Sequence, residues 1–138
     1  MSKIYFLLFA CLFCSACAAT NDFKEVKLIS VYDGDTFKVN LPCKRAVFCK
    51  EISVRVRGID TAELKTKNLK EKQKALASKE FTEQFLFNGK IILRNCKRDK
   101  YFRLLCEVFI KNKKETINLA QELLSLDLAI KYEGKKKS

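Results

Sequence analysis

The sequence predicts a mainly β fold with α (α+β): a five-stranded barrel of the OB type with two or so packed helices. Three observations predict it. The periodic segments run as three strand-like stretches, a helix, two more strand-like stretches and a short helix. The dipeptide Asp33-Gly34 joins the first two stretches and is a strong hairpin signal. The length, 138 residues with 48% apolar and 32% charged content, suits one domain with one modest core. Five short strands around a helix fit a small closed Greek-key barrel.

Each element has its own signal. Residues 25 to 32, EVKLISVY, alternate loosely and read as a strand. After Asp33-Gly34-Asp35, where Gly is expected to tolerate a positive φ, TFKVNL at 36 to 41 is the second strand. Residues 42 to 50 form a loop with the only proline and two cysteines. The third strand, ISVRVRGI at 52 to 59, sets Ile52, Val54 and Val56 on one face and Ser53, Arg55 and Arg57 on the other. Residues 64 to 74 hold five lysines and read as a solvated basic loop entering a helix. From Leu69, apolar residues recur at Leu76, Ala77, Phe81 and Phe85 as a helical stripe, with Asn88-Gly89 as its end. KIILRN at 90 to 95 and RLLCEVFI at 103 to 110 are the fourth and fifth strands, joined by a charged turn. A short helix begins near Thr116 as N-cap and runs through Leu119, Leu123 and Leu124. The tail YEGKKKS is expected to be disordered and too short for a further long helix. There is no internal repeat.

The first residues differ from the rest. Residues 4 to 13, IYFLLFACLF, form an apolar run of ten, too short to span ~30 Å of hydrocarbon as a helix. With Lys3 before it and small residues after it, the run fits a secretory signal. Two processing routes are open. Ser15-Ala16-Cys17 resembles a bacterial lipobox, with Cys14 where Leu is usual, making Cys17 the lipidated residue. Ala16-Cys17-Ala18 reads instead as a small-x-small cleavage site. The expected organisation is a signal peptide over 1–19 and one domain over 20–138 with a basic tail. Export to a secreted, periplasmic or lipid-anchored bacterial location follows from it.

Export changes how the cysteines read. Beyond the signal region lie Cys43, Cys49, Cys96 and Cys106, an even number in an oxidising compartment. Four cysteines allow three pairings. Cys43 and Cys49 bracket one loop, and Cys96 and Cys106 flank one hairpin turn, so local pairing is expected. Zinc is the rival reading, but the spacings are wide for knuckles and the chain has no His. The absence of His also removes the Ser-His-Asp triad and the commonest general base.

Lys and Arg number 28 against 16 Asp and Glu, a formal net charge of +12. Such a surplus favours an anionic partner: nucleic acid, an anionic membrane or polyphosphate. Charge alone does not choose among them. Three clusters carry more: Asp33-Gly34-Asp35-Thr36, the stretch from Arg55 to Glu63, and Asp99-Lys100-Tyr101-Phe102-Arg103. Each alone has a bland reading as a turn, a solvated strand face or a hairpin tip. Together they place cations and carboxylates as a site for both a metal ion and a phosphate would. Asp33 to Asp35 is not an EF-hand loop, because its twelfth position is Lys44 rather than Glu. Asp35 and Asp60, brought together from neighbouring strands, would offer two hard oxygen ligands with an otherwise open shell.

DGDT, then R-x-x-G-I-D-T-x-E, then DKY-x-R resembles the staphylococcal nuclease (thermonuclease) family over roughly residues 25 to 132. The resemblance implies an OB barrel with helices, in agreement with the strand order. It implies Ca²⁺ held by Asp35, Asp60 and Thr61. It implies Glu63 as general base, Arg55 and Arg103 on the scissile phosphate, and Lys100 and Tyr101 on another substrate phosphate. The activity implied is sugar-non-specific hydrolysis of DNA and RNA to 3′-phosphate products, by an exported monomer, with single strands and A·T-rich duplexes cleaved more readily. Ala62 stands where the family usually has Pro, and Phe102 where it often has Gly. Arg57 matches no functional position of the family and reads as phosphate-channel lining or as surface. The alternative is a non-catalytic nucleic-acid-binding OB module, although such modules usually lose the catalytic residues that remain here.

Overall fold

The computed structural model describes residues 21–45 and 48–134. The expected signal segment, including Cys17, and the tail end at 135–138 lie outside the described residues. Among the described residues, eight strands and two helices follow in the order β1 (Phe23–Val31), β2 (Thr36–Asn40), β3 (Ile52–Val56), β4 (Ile59–Thr61), α1 (Leu69–Phe87), β5 (Lys90–Arg98), β6 (Leu104–Lys111), β7 (Thr116–Asn118), α2 (Leu119–Ser125) and β8 (Ala129–Lys131). Among the described residues no helix is long and apolar enough to cross a membrane.

Five strands close a barrel. The order β3-β2-β1-β5-β6 is antiparallel throughout, and β3 returns to pair with β6 in parallel, Val54 opposite Leu104 and Val56 opposite Cys106. This is the OB-type barrel with two helices expected from the sequence. β1 serves both halves of it. Its C-terminal part pairs with β2, its N-terminal part with β5, and a register shift between Leu28 and Ser30 lets it bend between them. Alternation on β2 and β3 sends Phe37, Val39, Val54 and Val56 fully inside. They meet Leu93 and Val108 from β5 and β6, and Leu119 and Leu123 from α2. Each such side chain contributes ~1.5–3 kcal/mol by leaving water.

Several sequence expectations need correction. β4, β7 and β8, three residues each, were not expected as separate strands. Gly58, with φ of 82°, ends β3 and starts β4. Thr116 is not the cap of the second helix. It opens β7, and Asn118 caps α2 by accepting from the Gln121 N–H at 3.2 Å. The face of α1 follows the expected stripe only in part: Phe85 is buried and Phe81 packs against the core as expected, but the first half of the stripe is not. Leu69 and Leu76 are 76% and 52% exposed, while Ala75, Ser78, Thr82, Phe85 and Leu86 are buried. Small side chains face the barrel because its backbone comes close there. Asn68 caps α1 by accepting from the Lys70 and Glu71 N–H groups.

Both expected disulfides are present. Cys43–Cys49 closes the loop after β2, with Cα atoms 6.1 Å apart. Cys96–Cys106 joins β5 to β6, with Cα atoms 4.3 Å apart, where the register shifts between Arg94 and Lys97.

Candidate active site

The turn between β1 and β2 is built for closeness. Gly34 does not take a positive φ, contrary to the reason expected from the sequence. A Cβ on Gly34 would lie 2.7 Å from Ser78 Cβ and 2.8 Å from Thr61 Cγ2. The glycine is there for space. It lets α1 and β4 press against the turn, and Thr82 Oγ1 donates to the Gly34 carbonyl at 2.7 Å. Ser78 and Thr82 were missed by sequence reasoning. Their signal was a row of small residues at helical spacing on α1.

That packing delivers Asp35 to the site, 4% exposed. Its Oδ2 accepts from the Thr61 N–H at 2.8 Å and from Thr61 Oγ1 at 3.1 Å, and its Oδ1 accepts from Thr36 Oγ1 at 3.0 Å. Arg55, opposite Thr36 on β3, sends its guanidinium between two carboxylates. Nη1 lies 2.6 Å from Asp35 Oδ2, and Nη2 donates to Asp60 Oδ1 at 3.0 Å. The Nη1 contact is one of charge only: its N–H groups are not aimed at a partner, and Nη1 is buried without a hydrogen bond. Asp33 stands beside this group; its N–H donates to the Thr36 carbonyl at 3.2 Å, and its Oδ1 accepts from the Asp35 N–H at 3.1 Å. Burial, then the neighbouring Asp35 charge, push the Asp33 carboxyl up to about 6, with Arg55 opposing.

A second cluster caps the β5–β6 hairpin. Asp99 Oδ1 accepts from the N–H groups of Tyr101 and Arg103, at 2.8 and 3.0 Å, and its Oδ2 accepts from Arg103 Nε at 2.8 Å. Partial burial alone would raise the Asp99 pKa. The hydrogen bonds from Arg103 and Tyr101 and the Arg103 charge outweigh it and hold this carboxyl below its ordinary value. Tyr101 lies under two cations, Lys100 Nζ at 5.0 Å and Arg103 Cζ at 5.3 Å from the ring centre. Asp99 therefore positions Arg103, a role that the sequence did not reveal.

Arg55 of the first cluster reaches the cleft that holds the second, about 590 Å³ and lined by Arg55, Arg57, Lys100, Tyr101, Arg103 and Tyr132 among others. Among the described residues, Asp99 and Glu133 are the carboxylates that line it. An adjoining groove of about 320 Å³ carries Asp60, Thr61, Glu63, Thr66, Glu71 and Lys74. Of the residues singled out from sequence, Arg55, Lys100, Tyr101 and Arg103 thus face one space, while Asp60, Thr61 and Glu63 face the next. Arg55 bridges them through its contact with Asp60. Arg57 lines the cleft but its guanidinium is occupied: Nη2 donates to the Asn95 carbonyl and, at 3.2 Å, to the Leu105 carbonyl. It clasps the bulge of β5 to β6. Tyr132, absent from the sequence-based set, reaches the cleft because its N–H donates to the Gly58 carbonyl at 3.0 Å.

The donor set fits a hard divalent cation. Asp35 and Asp60 supply carboxylate oxygens next to one another, with one guanidinium now balancing both. Among the described residues no three His, Cys, Asp or Glu side chains converge on a point. A cation there would complete its shell with Thr61 oxygen and water, as Ca²⁺ and Mg²⁺ do readily. This arrangement, anionic oxygens beside a cationic cleft, can hold a phosphodiester and a metal ion together.

No match is found among curated proteins. The family described as staphylococcal nuclease homologue matches residues 53–138, a stretch that begins in β3 and takes in Arg55, Asp60, Glu63 and the whole β5–β6 hairpin. With the barrel closed as described, the chain belongs to the staphylococcal nuclease homologue family.

Proposed function

We propose that this protein is an exported, Ca²⁺-dependent nuclease that hydrolyses phosphodiester bonds of DNA and RNA without sequence preference and leaves 3′-phosphate ends. The observation that carries the reading is the meeting of Asp35, Asp60 and Arg55 at the edge of a cleft also lined by Arg103, Lys100 and Tyr101.

Asp35, Asp60 and Thr61 would hold the ion, which when bound supplies positive charge to the phosphate and to a neighbouring water. Their carboxylates then have a partner other than Arg55. Arg55, now paired with both carboxylates, is freed to give its N–H fork to a phosphate oxygen. Arg103 approaches the same phosphate with the Nη edge that its pairing with Asp99 leaves unused. Two guanidiniums bind more strongly as charge builds on the equatorial oxygens. Glu63, exposed in the groove beside Asp60, takes the proton of the attacking water. Water oxygen bonds to phosphorus, the bond to the 5′-oxygen breaks, that oxygen leaves as a hydroxyl on taking a proton from solvent water, and the 3′-phosphate remains. Lys100 and Tyr101 hold the next phosphate.

The two disulfides support an oxidising compartment. Whether the protein is released or held by a lipid on Cys17 is read by the mass of its first residue from the native host. The enzymatic test is cleavage of single-stranded DNA with Ca²⁺ and with EDTA, for wild type and Asp35→Ala. Cleavage is expected only for wild type with Ca²⁺. Full activity in EDTA, or nucleic-acid binding with no cleavage in Ca²⁺, would overturn the proposal.

A further inference from the structure

The tip of the β5–β6 hairpin holds a residue in an unusual state. Phe102 is 83% exposed and has φ of 61°. Bulky side chains rarely take the left-handed region, which glycine enters freely. The turn demands that conformation there. Its Phe102 N–H donates to the Asp99 carbonyl at 3.1 Å and the Asp99 N–H to the Arg103 carbonyl at 2.9 Å, a tight turn followed by a left-handed residue. Arg98 Nη1 fixes the same residue by donating to its carbonyl at 2.6 Å. The backbone is thus held rigid by Asp99 and Arg98, while the ring stands in solvent.

Nothing in the packing uses that ring. It is not part of the core, and it does not line the cleft that Lys100, Tyr101 and Arg103 line on either side of it in sequence. Its turn is cationic: Arg98 binds the Phe102 carbonyl, and Lys100 and Arg103, two residues before and one after it, lie over the neighbouring Tyr101 ring. An exposed aromatic face on a rigid backbone, among cations that can follow a phosphate chain, is the arrangement that stacks single-stranded bases.

We propose that Phe102 is a stacking platform for a base of single-stranded nucleic acid, one or more nucleotides beyond the phosphate held in the cleft. The inference rests on the nuclease reading and deepens it: this site would favour long single strands over short or paired ones. A paired base keeps its faces stacked on its neighbours and cannot use the ring.

The test compares a dinucleotide, which occupies the cleft alone, with an oligothymidylate of about a dozen nucleotides, which can reach the tip. The ratio of kcat/KM for the two is measured in Ca²⁺ for wild type, Phe102→Gly and Phe102→Trp. Wild type is expected to favour the long substrate. Phe102→Gly should shrink that advantage by roughly tenfold or more, through KM, and Phe102→Trp should restore it. Thermal unfolding separates this from damage to the fold, because glycine suits the backbone there and Phe102→Gly should melt no lower than wild type. An unchanged ratio in Phe102→Gly overturns the stacking site. So does a ratio unchanged while binding to phosphatidylglycerol vesicles falls, which would make the tip a membrane contact. If wild type cleaves neither substrate, it is the nuclease reading that fails, and fluorescence-detected binding of the oligothymidylate by wild type and Phe102→Gly still decides the stacking: equal affinities overturn it.

Discussion

At Gly34, Asp33, Arg57 and Arg103 a single side chain, or its absence, decides packing, titration or phosphate contact. An added methyl at Gly34 must displace Ser78 or the Thr61 side chain that bonds Asp35. Gly34→Ala is therefore expected to lose ~1–3 kcal/mol of stability and to depress activity with it; a variant that melts and cleaves as wild type would refute the close approach. Asp33 carries a pH signature. Its carboxyl is raised to about 6 in the folded chain from an ordinary value of 3.8. The folded state thus holds this proton more tightly than the unfolded state. Its charge lowers stability above pH 6, and that loss fades as pH falls from 6 towards 4. Asp33→Asn in EDTA should melt above wild type at pH 7 to 8 and converge with it near pH 4; a constant difference across that range would contradict the sign. Arg57 and Arg103 part company on partners. Arg57→Ala frees the Asn95 and Leu105 carbonyls and should cost ~1–2 kcal/mol of stability while kcat stays within about tenfold. Arg103→Lys keeps the charge but not the fork, and should lose ~10²–10³ in kcat on single-stranded DNA. The reverse pattern would mean that the arginine roles must be exchanged.

At the level of elements, the hairpin that bears Arg103 is tied together by Cys96–Cys106. Both cysteines are buried in the core, at 3% and 0%, whereas in the other pair Cys49 is buried at 8% but outside the core cluster and Cys43 is exposed. Chain entropy favours each short loop by a similar ~2–3 kcal/mol. The difference must come from packing, since replacing the pair Cys96 and Cys106 by Ala also opens space in the core. The double variant at 96 and 106 is expected to lose about 2 kcal/mol more than that at 43 and 49, measured by urea unfolding; equal losses would show that the buried sulfurs do not pack. The elements themselves were legible unequally. β1, β2, β3, β5 and β6 announced themselves through alternation and through turn residues between them. β4, β7 and β8 did not, because three residues cannot show a period. The face of α1 was legible at Phe81 and Phe85 but not before them, because apolar Leu69 and Leu76 suggested a stripe where the barrel takes the small Ala75, Ser78 and Thr82. The motif residues of the site were visible in sequence, since each motif is local. Asp99 beneath Arg103 and the grip of Arg57 on two carbonyls were not, because those bonds depend on a turn and a bulge that no period encodes.

Over the whole molecule, the site joins parts that are distant in sequence. Asp35 lies in the turn after β1, Arg55 on β3 and Asp60 on β4, and α1 presses on that turn through Gly34. A cation held by Asp35 and Asp60 would stabilise this junction only in the folded state, so binding must raise the unfolding free energy. At a hundred times the dissociation constant the gain is ~2.7 kcal/mol, on the order of 10 °C in Tm for a domain of this size. Charge complicates the measurement. With a net charge of +12, any salt screens self-repulsion and shifts Tm somewhat. The comparison must therefore be CaCl₂ against NaCl at equal ionic strength. Screening acts on the whole surface and should be alike in wild type and in Asp35→Asn. Specific binding needs the Asp35 charge and should vanish in that variant, even if its melting without Ca²⁺ is unchanged. The expected result is a large Ca²⁺ shift in wild type, a small one in Asp35→Asn, and equal small NaCl shifts in both. An equal Ca²⁺ shift in the two proteins would place the ion elsewhere and leave the pairing of Asp35 and Asp60 through Arg55 as a structural ion cluster.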